Sequence, residues 1–154
     1  MRDQLQAWAR DGWLTITEGD VTDYNAIKAQ IMHDAALFSV QSIAFDRFLA
    51  MPLVVPLQEE GIEMVPVGQG SRSMNAPAKL LETLVANEAL HHFGNPVIRW
   101  MADNCTLETD YEDRIKPSKK KSTEKIDGIV ALCMALSECI AEEVAPEVAF
   151  ISFQ

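Results

Sequence analysis

Two short apolar runs, residues 40–45 (VQSIAF) and 62–67 (IEMVPV), constrain this chain more than any other feature. Each is too short to be a helix with a buried face. Both are bounded by turn or charge signals and separated by a helical stretch. Apolar runs of this kind, alternating with helices, read as parallel strands covered on both sides. A short alternating run at 13–17 (WLTIT) precedes them and reads as a third strand.

The intervening segments carry helical signals. After Gly19, a helix capped by Asp20 or Thr22 runs to about residue 37, with Tyr24, Ile27, Ile31 and Ala35 on one face. Residues 47–60 form a second helix shortened or kinked by Pro52 and Pro56 and stopped by Gly61. A third covers about 76–88, and residues 90–93 read as a small edge strand. Pro96 at the first helical position after a capping Asn95 opens a helix to about 104. Residues 108–122 are polar and read as a loop, and a last helix runs over about 123–143. The apolar tail from residue 146 has no assigned place. The fold class is α/β, a single domain of 154 residues with no repeat.

Composition narrows the function classes. No stretch approaches the roughly 20 apolar residues of a membrane helix, and the N-terminus lacks a signal peptide's apolar core. These features imply a cytoplasmic protein. Cys105, Cys133 and Cys139 form no CxxC pair, which argues against structural zinc or a disulfide framework. The net charge of −10 opposes tight DNA binding by the whole surface. Six of the thirteen Lys and Arg nevertheless fall together as Arg114, Lys116, Lys119, Lys120, Lys121 and Lys125. Such a run is usually a solvated face, but beside an acidic site it can hold phosphate.

Two aspartates stand out. Asp46 follows the apolar run 40–45, where open α/β sheets bind ligands, although an Asp there is more often a helix cap. Asp127 lies near the start of the last helix, three and four residues before Val130 and Ala131. That spacing predicts a partly buried carboxylate, against the plainer reading of a first-turn acid favouring the helix dipole. Gly128 beside it costs about 1 kcal/mol relative to Ala, which implies close approach of another group. Lys125 is the best single candidate for a scissile phosphate. His91 and His92 are adjacent and lack metal spacing. There is no phosphate-loop motif, and Gly68-Gln69-Gly70 reads as a turn.

Five stretches in order, GWLTITEGDVTDYNAI, IAFDRF, LQEEGIEMVPVGQG, NAPAKLLETLVANEALHHFGNPVIRWMADN and IKPSKKKSTEKIDGIVALCMAL, resemble the nuclease domain of tailed-phage terminase large subunits. The resemblance covers most of residues 12–136. It implies a ribonuclease-H-like fold, a mixed sheet flanked by helices, and an endonuclease that cuts concatemeric viral DNA during packaging. It implies two Mg²⁺ or Mn²⁺ ions between carboxylates, with Asp46 and Asp127 as catalytic metal ligands. Lys116, Lys119, Lys120, Lys121 and Lys125 would contact DNA.

In the family the first acid lies on a central strand well upstream of GWLTIT. The resemblance therefore implies an incomplete sheet, a partial nuclease domain over 1–154 and no ATPase motor. Asp20, Asp23 and Asp103 are the nearby acids to examine as replacements. Implied partners are double-stranded viral DNA and, in a full-length protein, the portal and small subunit, in the cytoplasm of a bacterial host. The alternative is a non-cutting prophage remnant that serves as a folded or interaction module and self-associates through an exposed sheet edge.

Overall fold

The structure, a computed structural model, describes residues 2–48 and 50–144. Its elements in order are α1 (Arg2–Arg10), α2 (Tyr24–Leu37), β1 (Ile43–Phe45), α3 (Met51–Glu59), β2 (Met64–Pro66), α4 (Ser71–Ala86), α5 (Pro96–Asn104), β3 (Leu107–Thr109), β4 (Ile115–Pro117) and α6 (Asp127–Val144).

The two apolar runs pair as parallel strands, with Ile43 opposite Met64, Ala44 opposite Val65 and Phe45 opposite Pro66. Side chains alternate across a strand, and each face of this small sheet has its own core. Ile43 and Phe45 pack with Val54, Leu57 and Met64 beneath α2 and α3. Ala44 packs on the other face against Met74 and Ala78 of α4 and Val130, Cys133 and Met134 of α6. Leu57 and Cys133 are fully buried. Burial in this apolar setting pushes the Cys133 thiol up to about 11.

Local chemistry explains most element ends. Asp23, one residue after Thr22, caps α2 by accepting hydrogen bonds from the amides of Asn25 and Ala26. Asn95 caps α5 through the amides of Val97 and Ile98, with Pro96 at the first position as its fixed φ favours. Gly61, at φ 86°, turns the chain out of α3 towards β2. Lys28 of α2 pairs with Glu60 at 2.8 Å and ties the two helices together.

Several expectations are corrected. Residues 14–17 run without regular structure, and residues 90–93 form no strand. Both are short polar-flanked runs with no neighbour to complete a ladder. Helix α4 starts at Ser71, not 76, because Pro77 is accommodated inside the helix. Helix α6 starts at Asp127, not 123, and α3 starts at Met51, not 47.

Helix α1 is an element beyond those expected from the sequence. It docks through Trp8, whose ring meets Trp100 of α5 edge-on with centroids 5.6 Å apart. The largest correction concerns 108–122: it contains a hairpin, β3 paired antiparallel with β4, Glu108 opposite Lys116. Among the described residues the expected mixed sheet is therefore two separate two-stranded sheets, one parallel and one antiparallel. The tail from residue 146 lies outside the described residues.

Candidate functional site

The C-terminal end of β1 delivers Asp46 into a depression of about 630 Å³ formed with Arg47, Phe48 and the 66–70 turn. Asp46 does not cap α3, whose N-cap is Ala50. Its Oδ1 accepts the amide of Phe48 at 3.2 Å, and its Oδ2 accepts the side-chain amide of Gln69 at 2.9 Å. The Gly68-Gln69-Gly70 turn thus has a role beyond turning: it aims an amide at the carboxylate. The same amide nitrogen lies 3.9 Å from Sδ of Met134 on α6.

Asp127, Val130 and Met134 occupy one stripe of α6, at spacings of three and seven. The stripe carries the site from the Asp46 region back to the start of the helix, roughly 10 Å at 1.5 Å per residue. Val130 lines a second depression of about 270 Å³ with Gln69, Glu108, Lys116, Ser118 and Lys119. A third, of about 380 Å³, holds Lys119, Lys125 and Asp127. Gln69 borders the first two and Lys119 the last two. Asp46 and Asp127 therefore open onto different depressions, linked through a third by the shared lining residues Gln69 and Lys119.

Between them, within the segment expected to be a loop, stands a further carboxylate. Glu108 on β3 accepts the hydroxyl of Ser118 at 2.7 Å and the ammonium of Lys116 at 3.1 Å. Ser118 is buried. The Ser118 hydroxyl first, and then Lys116, hold the Glu108 carboxyl below the ordinary carboxylate value. Lys116 also donates to the Gln69 carbonyl at 3.3 Å. The Gln69 residue that grips Asp46 is thus linked through Lys116 to Glu108. The signal in the sequence was the alternation Leu107-Glu108-Thr109 facing Ile115-Lys116-Pro117, which is only three residues long on each side.

Asp127 departs from its expected burial. Its side chain is 58% exposed and pairs with Lys119 at 2.6 Å. The close approach implied by Gly128 is real but belongs to packing: a Cβ there would stand 2.8 Å from Ile98 Cδ1 and from Met101 Sδ of α5. The Gly128 amide donates to that sulfur at 3.1 Å. Glycine lets α6 cross α5 closely beside Asp127; a larger residue would have to push the ends of Ile98 and Met101 aside.

The basic run divides in two. Arg114 pairs with Asp110 and Glu112, Lys116 with Glu108, and Lys119 with Asp127. Lys120, Lys121 and Lys125 are exposed. Asp23 is occupied in capping α2, and neither it nor Asp20 nor Asp103 borders the three depressions. His91 and His92 are exposed on the 87–95 connection. Among the described residues, no three His, Cys, Asp or Glu side chains converge in an arrangement able to hold a metal ion. No helix among them is long and apolar enough to cross a membrane.

Comparison with known proteins gives a consistent result. A family described as the terminase large subunit, endonuclease domain, matches residues 2–143. Over 143 residues the chain is 32% identical to Protein YmfN of Escherichia coli (strain K12), covering 92% of this chain and 31% of that protein. It is 31% identical to the terminase large subunit of Enterobacteria phage HK97, covering 92% and 28%. The crystal structure of the HK97 bacteriophage large terminase superposes with a TM-score of 0.79 at 31% identity, over 86% of this chain and 28% of that one. The chain thus spans less than a third of the length of these relatives.

Proposed function

Because the chain belongs to the endonuclease-domain family of terminase large subunits, we propose that it is a single DNA-cutting module of ribonuclease-H-like fold. Asp46 and Asp127 serve as its catalytic carboxylates, and its substrate is concatemeric viral DNA at packaging in the host cytoplasm. In a longer polypeptide such a module would work beside portal and small-subunit partners. The observation that carries the reading is the row of three depressions, linked by Gln69 and Lys119, that leads from the carboxylate at the end of β1 to the one at the start of α6 and is bordered by the exposed Lys119, Lys120 and Lys125.

The donor set fits a hard divalent cation such as Mg²⁺ or Mn²⁺, because both aspartates offer oxygen. Their combined charge balances one such ion, so a pair of ions needs a further carboxylate. When bound, divalent metal supplies charge stabilisation and an activated water for phosphodiester hydrolysis. Everything else falls to the chain itself. Gln69 orients the Asp46 carboxylate. The close α5–α6 crossing lies beside Asp127. Loading Asp127 requires Lys119 to release it, and the freed ammonium then joins Lys120, Lys121 and Lys125 in drawing the phosphate backbone into the row.

The test is plasmid nicking by the folded protein in millimolar Mn²⁺. Wild type is expected to nick, and Asp46→Asn and Asp127→Asn to abolish it. Mn²⁺ should also raise the melting temperature of wild type but not of Asp127→Asn. The rival reading is a folded module that does not cut and acts through interaction. The Lys119–Asp127 pair, which occupies one of the two carboxylates, favours it. A wild-type protein that stays folded, nicks no DNA and melts unchanged in Mn²⁺ decides for that rival.

A further inference from the structure

Gln69 grips Asp46 from a part of the chain with little stiffness of its own. Gly68 and Gly70 flank it, and glycine leaves the backbone more conformations than other residues do. Its side-chain amide nevertheless reaches Asp46 Oδ2 at 2.9 Å. A side chain on such a turn keeps one aim only if its backbone is held from outside. The hairpin supplies that hold. Nζ of Lys116 donates to the Gln69 carbonyl at 3.3 Å. The preceding residue, Ile115, donates its amide to the side chain of Asn75 at 3.0 Å. Asn75 lies in α4, which starts directly after Gly70. Adjacent residues of β4 thus grip the turn and the helix that follows it.

Lys116 is itself placed from the opposite strand. Its ammonium meets Glu108 Oε1 at 3.1 Å, and the other oxygen of Glu108 accepts the hydroxyl of the buried Ser118 at 2.7 Å. The Lys116 and Glu108 side chains are 25% and 28% exposed, against 53% and 58% for Lys119 and Asp127. The inner pair is therefore less screened than the outer one. An ammonium with two acceptors and three-quarters of its side chain covered is poorly placed to leave for a phosphate.

We propose that Lys116 is a positioning residue for the Asp46 carboxylate: it holds the Gln69 carbonyl, and the held turn aims the Gln69 amide at Asp46. Lys116, expected from the sequence to contact DNA, serves the carboxylate instead. Its importance for cleavage rests on the nuclease reading, whereas its hold on Gln69 does not.

The test has two arms, and the first needs neither metal nor DNA. In NMR spectra of the full chain, the side-chain amide resonances of Gln69 are compared with those in Asp46→Ala, where that amide has lost its acceptor. Lys116→Met should move them towards the Asp46→Ala positions. Lys116→Arg, which keeps a charged donor of similar reach, should leave them near wild type. Glu108→Gln should move them the same way by less, and it decides the question if Lys116→Met does not fold. The second arm is plasmid nicking in Mn²⁺. Lys116→Met should lower kcat about tenfold or more, the scale on which partners that orient a metal ligand act, with KM and its salt dependence kept. Lys116→Arg should recover most of that loss. Unmoved Gln69 resonances, or an unchanged kcat where wild type nicks, overturn the proposal. So does a raised KM with a shallower salt dependence and kcat kept, which makes Lys116 a phosphate contact. A wild-type chain that does not nick removes the nuclease reading alone, and the Gln69 resonances still decide whether Lys116 holds the turn.

Discussion

The two aspartates sit in opposite surroundings. Asp46 is half-buried at the end of a strand and is held by neutral donors, the Phe48 amide and the Gln69 side chain. Asp127 stands exposed on the first turn of a helix and is held by a cation. A carboxylate held by neutral donors keeps its charge available to an incoming cation, while one already paired must first give up its partner. The two ends of the row therefore differ in readiness: the strand end is preset, and the helix end must exchange one cation for another.

Each end rests on a different core, and removing the buried support behind each should separate them. Leu57→Ala beneath β1 and Ile126→Ala beside Asp127 are both expected to cost about 2–5 kcal/mol in urea denaturation. Ile126 should cost more, because its cluster spans α4 and α6 with Met74, Val130, Cys133 and Met134, whereas the Leu57 cluster has two other buried members, Val54 and Met64. Losses below about 1 kcal/mol for both would mean that neither end is anchored by its core.

A smaller effect is expected at Gly128. Alanine gains about 1 kcal/mol of helix propensity but must push aside Ile98 and Met101, at an overpacking cost of about 1–3 kcal/mol. A net loss near 1 kcal/mol is the expected outcome in thermal or urea melts. A stabilised Gly128→Ala would show that the α5–α6 crossing has room to spare.

The middle of the row should answer to acid. Glu108 titrates below its ordinary value in the folded protein, so its share of stability is present above about pH 4.5 and is lost as the pH falls through the lowered folded value. Lys116→Met and Ser118→Ala should each flatten that acid limb in pH-dependent melts. An unchanged limb in both would show that the hairpin contacts do not couple to folding. The smallest effect belongs to Lys119→Ala. Removing an exposed pair should cost at most about 1 kcal/mol, yet it should tighten Mn²⁺ binding at the Asp127 end in calorimetry. Weaker Mn²⁺ binding would reverse the contrast between the two ends.

The sequence shows the α/β alternation, both parallel strands, the Asn95–Pro96 start of α5 and the position of Asp46, because each rests on a local signal. An apolar run, a cap or a proline carries its meaning within a few residues. The hairpin escapes notice because its strands are three residues long and one of every pair of facing residues is charged or exposed. Glu108 was therefore hidden inside an apparently solvated run. Asp127 was misjudged for another reason: spacing from Val130 places it on the correct stripe, but its exposure depends on where α6 begins. The reason for Gly128 is legible only once α5 is in place, since both neighbours come from residues some thirty positions earlier.

The pairing pattern within the basic run has a consequence for how nucleic acid would be held. Without a metal ion at Asp127, Arg114, Lys116 and Lys119 already neutralise carboxylates of the chain itself, so they displace few ions from a duplex in that state. Lys120, Lys121 and Lys125 remain. Each phosphate neutralised releases about 0.9 counterion, and three such lysines give a double-logarithmic salt slope of about −3, half of what the six charges would suggest. Nucleic acid would dwell briefly on such a surface, so positioning must come largely from other contacts.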